Sequence, residues 1–520
     1  MENHTLAELF APAQAVDIPA FGGKLDVSWD PDAQVTQWGG LAYFVSYLKS
    51  SGLFERLVDD APFHFTSPNA HDVRDIVGTM VLAIVCGYSR YVHINRLQND
   101  KVLAGLLDLR CITSDSSVRR ALKHADEGEL DEWLSRQERN VFEKLIEYDY
   151  VLDIDNTVKP IFGHQEGAEL GYNPQKPGRP SHNFHSFFIG ALRISLGVDV
   201  QPGKKHSGGC GTPRMWEIID AQPADRRPRL IRGDVMYGDD ENMCEAERRA
   251  IMYLFKLRRT KTVMGMMRRH ENDSGWIEAG AGWEAFDTRI GLGGWAKSRR
   301  CILLRRPSTD ANRIGLANKP KRRGRPKKNA PVPVQLEFDF IEDRAGRSWD
   351  CCALVTNDET LDVAALAQVY RDRGDCENNF DEYKNQYGWG GFVTKDLKPC
   401  RAIARLIAIV ANWWNIFCRL ADGERHREPT TSRPMYMGIV GRLVESGRQR
   451  TLRLTSTHQK AQGIQASLTR IGAFMKRISE TARQLDFNHA WELIIRVAFR
   501  KWFDGTRTKP LLPMPLALLE

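Results

Sequence analysis

Four short apolar segments between residues 148 and 262 constrain the fold of this 520-residue chain more than any other feature. They read YDYVLDIDNTV, HSFFIGALRISLGV, RPRLIRGDVMY and IMYLFKLRR, and the second is long enough for one strand or for a pair. Their alternating or continuous apolar residues are typical of β-strands, whereas ENMCEAERRA, between the third and the fourth, has the pattern of a helix. Strands interspersed with a helix predict a mixed α/β sheet.

Helical patterns lie on both sides of this part of the chain. Residues 1–146 form a Pro-, Gly- and Asp-rich arm followed by segments whose apolar residues recur every three or four positions. The α/β core covers residues 147–262 and resumes at 355–420, and residues 263–354 interrupt it with β-type runs such as RRCILLRR and LEFDF. Helix patterns continue through residues 421–520. The sequence thus predicts a split α/β core with a helical N-terminal domain, a β-rich insertion and a helical C-terminal tail.

Composition narrows the class of protein. The net charge of +8 is too small an excess to identify a partner by itself. The ten cysteines include no Cys-x-x-Cys pair, which favours a reducing compartment over a disulfide framework or a zinc ribbon. The most apolar stretch, residues 402–420, contains Arg405 and Arg419, and MENHTLAELF lacks the basic and apolar regions of a signal peptide. We therefore expect a cytoplasmic protein with no membrane partner.

Two aspartates that follow apolar strand residues are candidate metal ligands. They are Asp155 in VLDIDNT and Asp234 in LIRGD, and alternation puts Asp153 on the same face of the first strand as Asp155. A carboxylate at the end of a buried strand costs several kcal/mol to desolvate unless a cation pairs with it, which a divalent metal would do. The alternatives are an ordinary strand-end turn at either aspartate, and Asp153 in place of Asp155 as the first ligand.

A third group of residues is a more specific indication of a functional site than either aspartate alone. Tyr370, Arg373, Glu377 and Lys384 fall, at about 100° per residue, within a stripe of roughly 60° on one face of a predicted helix. A phenol, a guanidinium, a carboxylate and an ammonium do not form a core face. The alternative is an exposed stripe held by an Arg373–Glu377 salt bridge. Gly374 argues against a purely structural helix, in which alanine would be favoured.

These residues resemble a known family. The four match the Y-x2-R-x3-E-x6-K signature of bacterial insertion-sequence DDE transposases of the insertion-sequence-4 type. Asp155-Asn156-Thr157 resembles that group's first Asp motif, and Arg232-Gly233-Asp234 resembles its second, with Tyr237 where a Phe is expected. Residues 162–173, FGHQEGAELGYN, are most similar to the insertion-sequence-1380 branch. The resemblance covers residues 20 to about 420.

The resemblance implies an RNase H-like, retroviral-integrase-like catalytic core. In that fold Asp155, Asp234 and Glu377 would be the catalytic residues and would hold two Mg²⁺ ions, for which Mn²⁺ would substitute. Two such ions activate an attacking oxygen and stabilise a leaving oxygen during in-line attack on phosphorus. Three further residues would bind phosphates beside the scissile bond: Tyr370, Arg373 and Lys384.

The implied function is that of an insertion-sequence transposase. Such an enzyme binds terminal inverted repeats, cleaves DNA at the transposon ends and joins the freed 3′-hydroxyl to target DNA. The expected partners are double-stranded DNA and a second copy of the chain in a synaptic complex, in the nucleoid of a bacterial cytoplasm and without a small-molecule cofactor. The alternatives are an RNase H-like nuclease without strand transfer and a domesticated, non-catalytic DNA-binding protein.

The insertion contains further candidate DNA contacts. Residues 319–328, KPKRRGRPKK, are either an AT-hook-like segment that would enter an A·T minor groove or a basic linker that binds phosphates nonspecifically. The named candidates there are Lys321, Arg323, Arg325 and Lys327. The insertion also contains four tryptophans, each of which either packs in the core or receives a flipped base, as an aromatic residue can in related transposases: Trp276, Trp283, Trp295 and Trp349.

Overall fold

A ten-stranded mixed sheet lies at the centre of the chain, and helices from the regions before and after it pack against this sheet. The computed structural model describes residues 15–174, 176–205, 208–308, 340–342, 348–423, 426–481 and 487–503.

The N-terminal region is mainly helical, as predicted. Several of its helices begin at side-chain caps: Asp72, Ser114 and Asp126 each accept a backbone N–H of the following turn. In order, its elements are β1 (Ala15–Ala20), β2 (Gly23–Ser28), β3 (Val35–Thr36), α1 (Leu41–Ser51), α2 (Leu53–Asp59), α3 (Val73–Val85), a 3₁₀ turn (Tyr91–Arg96), α4 (Lys101–Leu106), α5 (Asp115–His124) and α6 (Glu127–Phe142). The exposed hairpin of β1 and β2 falls in the predicted arm.

The strands predicted between residues 148 and 262 are all present. The long second segment forms two strands, joined by a 3₁₀ turn at Gly190–Leu192. The five strands are β4 (Val151–Pro160), β5 (Ser181–Ile189), β6 (Ile194–Pro202), β7 (Leu230–Gly233) and β8 (Met252–Lys256). They lie in the order β6-β5-β4-β7-β8. The first three pair antiparallel, whereas β7 is parallel to β4 and β8 is parallel to β7. This mixed sheet is consistent with the RNase H-like core that the resemblance implies.

The β-rich insertion extends the same sheet. Its strands are β9 (Ile277–Glu278), β10 (Glu284–Ile290), β11 (Arg299–Pro307), β12 (Phe340–Glu342) and β13 (Ser348–Thr356). β13 pairs antiparallel with β8 and with β11, so the sheet continues from the core as β8-β13-β11-β10-β9. The predicted RRCILLRR strand corresponds to β11, whereas most of LEFDF and the basic run at residues 319–328 lie outside the described residues.

Helices cover the sheet and lead to the C-terminal region. Those within and after the core are α7 (Gly208–Asp220), a 3₁₀ turn (Ala224–Arg226), α8 (Asp240–Arg248), α9 (Lys261–Arg269), α10 (Val363–Arg371), α11 (Gly374–Asp381), a π-helical turn (Glu382–Gln386) and α12 (Leu397–Asp422). Helix α12 packs against β6, α3 and α6. It is long and apolar enough to cross a membrane by length and composition, but 94% of its most apolar window is buried inside the protein. Trp413 and Trp414 are part of this core.

The C-terminal region is not purely helical, which corrects the prediction. Its elements are α13 (Pro429–Tyr436), β14 (Val440–Ser446), β15 (Gln449–Thr455), α14 (Ala461–Thr481), α15 (Phe487–Ala498) and α16 (Arg500–Phe503). β14 and β15 form a hairpin that also pairs with β3 of the N-terminal region. Gly447 at its turn has a positive φ of 61°, which glycine adopts without steric cost. The alternation in RLVESGRQRTLRLT was the signal for this hairpin.

Candidate active site

The register of two parallel strands brings Asp155 and Asp234 together. The pairing of β4 with β7 ends at Ile154 and Gly233, and each aspartate is the residue that follows one of these two in the sequence. Paired strands lie about 4.8 Å apart. The sequence suggested that Asp155 ends its strand, and the structure corrects this: β4 continues to Pro160 in its pairing with β5. Asp155 marks the position where β7 stops and the sheet opens beside β4.

Asp153 has a different role from Asp155. Arg232, its partner in the register, donates to it through Nε at 2.6 Å and Nη2 at 2.7 Å. Asp153 is 0% exposed and Arg232 is 2% exposed. Arg232 also donates to the carbonyl oxygen of Val369, in α10. Arg232 thus occupies both carboxylate oxygens of Asp153, which is fully buried, whereas Asp155 is 8% exposed at the end of the β4–β7 pairing and is the better candidate for a metal ligand.

The helix predicted for the signature residues is interrupted, which corrects the sequence analysis. Helix α10 ends at Arg371, α11 begins at Gly374, and the turn that contains Lys384 is π-helical. Glycine is costly in a helix interior because it loses the most backbone entropy on folding, so Gly374 favours a break there. A π-helical turn adds a residue per turn, and such turns are frequent at functional sites. The calculated 60° stripe therefore does not describe the real geometry.

Arg373 nevertheless reaches Asp155. Its Nη2 donates to Asp155 Oδ2 at 2.7 Å, and the two residues are 7% and 8% exposed. The backbone N–H of Asn156 donates to the other oxygen, Oδ1, at 2.7 Å. Asp155 is thus held from two sides in a position that its own strand fixes.

The pKa shifts of two further signature residues show that they share this site. Burial raises the pKa of Tyr370, an effect that Arg373 opposes and that the charges of Asp234 and Asp155 increase. Burial lowers the pKa of Lys384, and Asp155 partly opposes that shift. Tyr370 therefore lies near Asp234 and Asp155, and Arg373 and Lys384 lie near Asp155, although the helix between them is broken.

Glu377 is the fourth residue of α11. This helix packs against β4, the strand of Asp155, and against the turn at Gly190–Leu192. The backbone of Glu377 therefore lies in an element next to the strand of Asp155, and its side chain is outside the described part of the chain.

An open cleft of about 810 Å³ adjoins these residues. Tyr370 and Arg373 line it from one side, and Trp283 lines it from the insertion. Its cationic lining residues are Lys256, Arg259, Arg306, Arg371 and Arg373. Lys256, Arg259 and Arg306 were not predicted as site residues, although the basic residues that end IMYLFKLRR and RRCILLRR were a signal.

The four insertion tryptophans have different surroundings. Trp276 and Trp349 pack on the guanidinium of Arg305, whose Cζ lies 4.0 and 4.5 Å from their ring centroids. Trp295 packs against the hydrophobic core, near Arg299. Trp283 lines the cleft, with Cζ of Arg306 4.7 Å from its ring centroid.

The site combines two neighbouring carboxylates with a cleft whose lining contains five cationic side chains and one acidic one, Asp350, which pairs with Arg306. Carboxylate oxygens are the ligands that Mg²⁺ prefers, and a cationic cleft open to solvent suits a phosphate backbone. Arginine contributes five N–H donors, so Arg373 can hold Asp155 and still bind an anion. The candidates in the basic run, Lys321, Arg323, Arg325 and Lys327, lie outside the described residues.

A family model agrees with these features. It is described as transposase DDE domain group 1 and matches residues 31–312, more than half of the chain. Among solved structures, the chain is similar to a piggyBac transposase in a synaptic complex with hairpin DNA, solved by cryo-EM. The two are 9% identical with a TM-score of 0.38, over 93% of this chain and 92% of that one. No curated protein matches the sequence.

Proposed function

We propose, because this chain belongs to the transposase family with a group 1 DDE domain, that it cuts DNA at the ends of an insertion sequence and joins the freed 3′-hydroxyl to target DNA. The observation that supports the proposal is that three signature residues, Tyr370, Arg373 and Lys384, lie near Asp155. Arg373 contacts Asp155 directly, across more than 200 positions of sequence. A broken helix that still delivers these side chains to one site argues against an incidental surface stripe.

The proposed catalytic residues are Asp155, Asp234 and Glu377. Their carboxylates would hold two Mg²⁺ ions, or Mn²⁺ in their place, which supply the Lewis acidity for attack on phosphorus. The parallel register of β4 and β7 supports this role, because it ends one residue before each aspartate and so holds their backbones at neighbouring positions. Helix α11, beside β4, would add Glu377.

The proposed phosphate-binding residues are Tyr370, Arg373 and Lys384. Arg373 would position the Asp155 carboxylate with one N–H group and bind a phosphate oxygen with others. Lys384 would add a positive charge in a partly buried place, where a charge acts more strongly than in bulk water.

The cleft would hold the DNA end. Its basic residues fit the phosphate backbone, and Trp283 offers an aromatic face on which an unstacked base can pack. The basic run at residues 319–328 would add affinity, as an AT-hook or as a nonspecific linker.

Two ends are cut together in transposition, so we propose a homodimer on DNA, in the nucleoid of a bacterial cytoplasm. We propose that the chain falls in the insertion-sequence-1380 branch, on the resemblance of residues 162–173.

The test uses DNA that carries the short inverted repeats flanking the gene. Purified protein is incubated with this labelled DNA, Mg²⁺ and a supercoiled target plasmid, and the products are separated by size. We expect cleavage at the repeat end and a product in which labelled DNA is joined to the plasmid. Cleavage without joining would favour the nuclease without strand transfer, and binding without cleavage would favour the non-catalytic DNA-binding protein.

A further inference from the structure

We propose that His71, Asp75 and Cys111 form a binding site for one zinc ion in the N-terminal helical region. This site shares no residue with the DDE carboxylates or with their cleft. Each of its three side chains offers one ligand atom, and these atoms all lie within 4.8 Å of one another.

The distances suit a tetrahedral ion. Cys111 Sγ lies 3.7 Å from His71 Nδ1. With Zn–S and Zn–N bonds of about 2.3 and 2.05 Å and a tetrahedral angle, the two ligand atoms would be about 3.6 Å apart. The two side chains are therefore already close to the separation that zinc requires.

The backbone around the site is fixed by hydrogen bonds. Asp75 lies in the first turn of α3 and accepts the backbone N–H of Arg110 through Oδ1 at 2.8 Å. Two residues after Cys111, the N–H of Thr113 donates to Oγ1 of Thr79 at 2.9 Å. The segment that carries Cys111 is therefore held along α3, so an ion would meet a largely preformed site.

Asp75 supplies a reason for a cation to bind. Its side chain is buried, with the residue only 2% exposed. The nearby arginines pair with other acids, Arg110 with Asp72 at 4.0 Å and Arg74 with Glu55 at 2.7 Å. A buried carboxylate is costly unless a charge balances it, and a divalent ion at this position would do so.

The donor set determines which metal fits. One imidazole nitrogen, one thiolate sulfur and one carboxylate oxygen suit Zn²⁺ or Co²⁺, whereas Mg²⁺ prefers oxygen ligands alone. Three protein ligands leave a fourth position for water. Cys111 is exposed and His71 lies at the rim of a surface pocket of about 580 Å³, so an ion can enter from solvent.

Cobalt provides a direct test, because Co²⁺ bound to a thiolate absorbs in the near ultraviolet. The full-length protein is treated with a chelator, desalted and titrated with Co²⁺. We expect a thiolate-to-cobalt band that saturates at about one equivalent per chain and disappears when Zn²⁺ is added. Cys111→Ser should remove the band, and His71→Gln should weaken the binding of Co²⁺ at least 10-fold.

Matched controls separate this site from others. Cys210→Ser removes a cysteine outside the proposed zinc site and should keep the thiolate-to-cobalt band. Asp155→Asn should also keep it, which would show that the cobalt ion responsible does not bind at the DDE carboxylates. Far-ultraviolet circular dichroism checks that each variant is folded, and Zn²⁺ should raise the Tm of the wild type but not that of folded Cys111→Ser. The proposal is overturned if the wild type shows no thiolate band, or if Cys111→Ser shows one of equal intensity.

Discussion

Arg232 and Asp153 form a buried ion pair across the parallel strands β7 and β4, with Nε and Oδ1 2.6 Å apart. They lie two residues before Asp234 and Asp155: Asp155 follows on β4, where alternation points it to the same side of the sheet as Asp153, and Asp234 is the first residue after β7. The ion pair thus links the two strands two residues before the candidate metal ligands.

Breaking this pair should destabilise the fold without changing the metal requirement. Arg232→Met leaves the Asp153 carboxylate buried and uncompensated, which should lower the free energy of unfolding by about 3–5 kcal/mol. The double variant Asp153→Leu with Arg232→Met should recover most of that loss, because no charge is then left alone. Urea unfolding measures both effects. If folded Asp153→Asn needs more Mg²⁺ for half-maximal cleavage than the wild type, Asp153 is a ligand and the structural interpretation is wrong.

Replacing any proposed catalytic carboxylate should stop chemistry while the protein still binds DNA. Asp155→Asn, Asp234→Asn and Glu377→Gln keep the size of the side chain and remove its charge. Changes to residues that only orient metal ligands typically cost 10–100-fold, so the loss of a ligand should cost about 100-fold or more in the cleavage rate. Gel-shift and cleavage assays on the same DNA separate the two effects. Exposed Asp225→Asn serves as a control, and a variant that retains cleavage removes its residue from the ligand set.

Arg373→Lys should not be a conservative change. Lysine keeps the charge but has no planar fork, so it cannot hold Asp155 and a phosphate oxygen at once in this geometry. We expect the cleavage rate to fall by about 10-fold or more, as for other residues that orient a metal ligand. Exposed Arg139→Lys is the control for the loss of a guanidinium. An unchanged rate in Arg373→Lys would mean that its contact with Asp155 has no part in catalysis.

Trp283 lines the cleft, unlike the other three tryptophans of the insertion, and this difference can be tested. If a base stacks on Trp283, Trp283→Ala should weaken binding of the DNA end by about 1–3 kcal/mol. Because the ring also packs against buried apolar residues, the Tm should fall as well. Trp276→Ala should lower the Tm and leave the affinity for the DNA end unchanged, because its ring packs on Arg305 within the insertion. Fluorescence anisotropy with labelled ends and thermal unfolding measure the two quantities. Equal affinity of the wild type and Trp283→Ala for the DNA end would mean that no base stacks on this ring.

The sequence predicted the central sheet better than the site's local geometry. The strands from Val151 to Lys256 followed from alternation and short apolar runs, since a buried sheet requires such residues. The break at Gly374 and the π-helical turn were not predicted, because a fixed 100° rotation assumes a regular helix. The Asp153–Arg232 pair depends on register between distant strands, which single-sequence periodicity does not contain. The hairpin at Val440–Thr455 was missed because helical patterns on both sides dominated the segment.

Stability should also depend on pH through Lys159, which lies four residues after Asp155 on β4. Burial lowers the pKa of its ammonium group to about 8, and Nζ donates to the carbonyl oxygen of Gly391. Below pH 8 the folded and unfolded chains both carry this proton, and the folded chain bears the full cost of burying the charge. Between pH 8 and the ordinary lysine pKa near 10.4 the unfolded chain binds more protons, so the free energy of unfolding should rise with pH by up to about 3 kcal/mol. The measurement is urea unfolding from pH 7 to 10 for the wild type and Lys159→Met, with exposed Lys476→Met as the control. The difference between wild type and Lys159→Met should change across this window, whereas parallel curves would mean that Lys159 keeps its ordinary pKa.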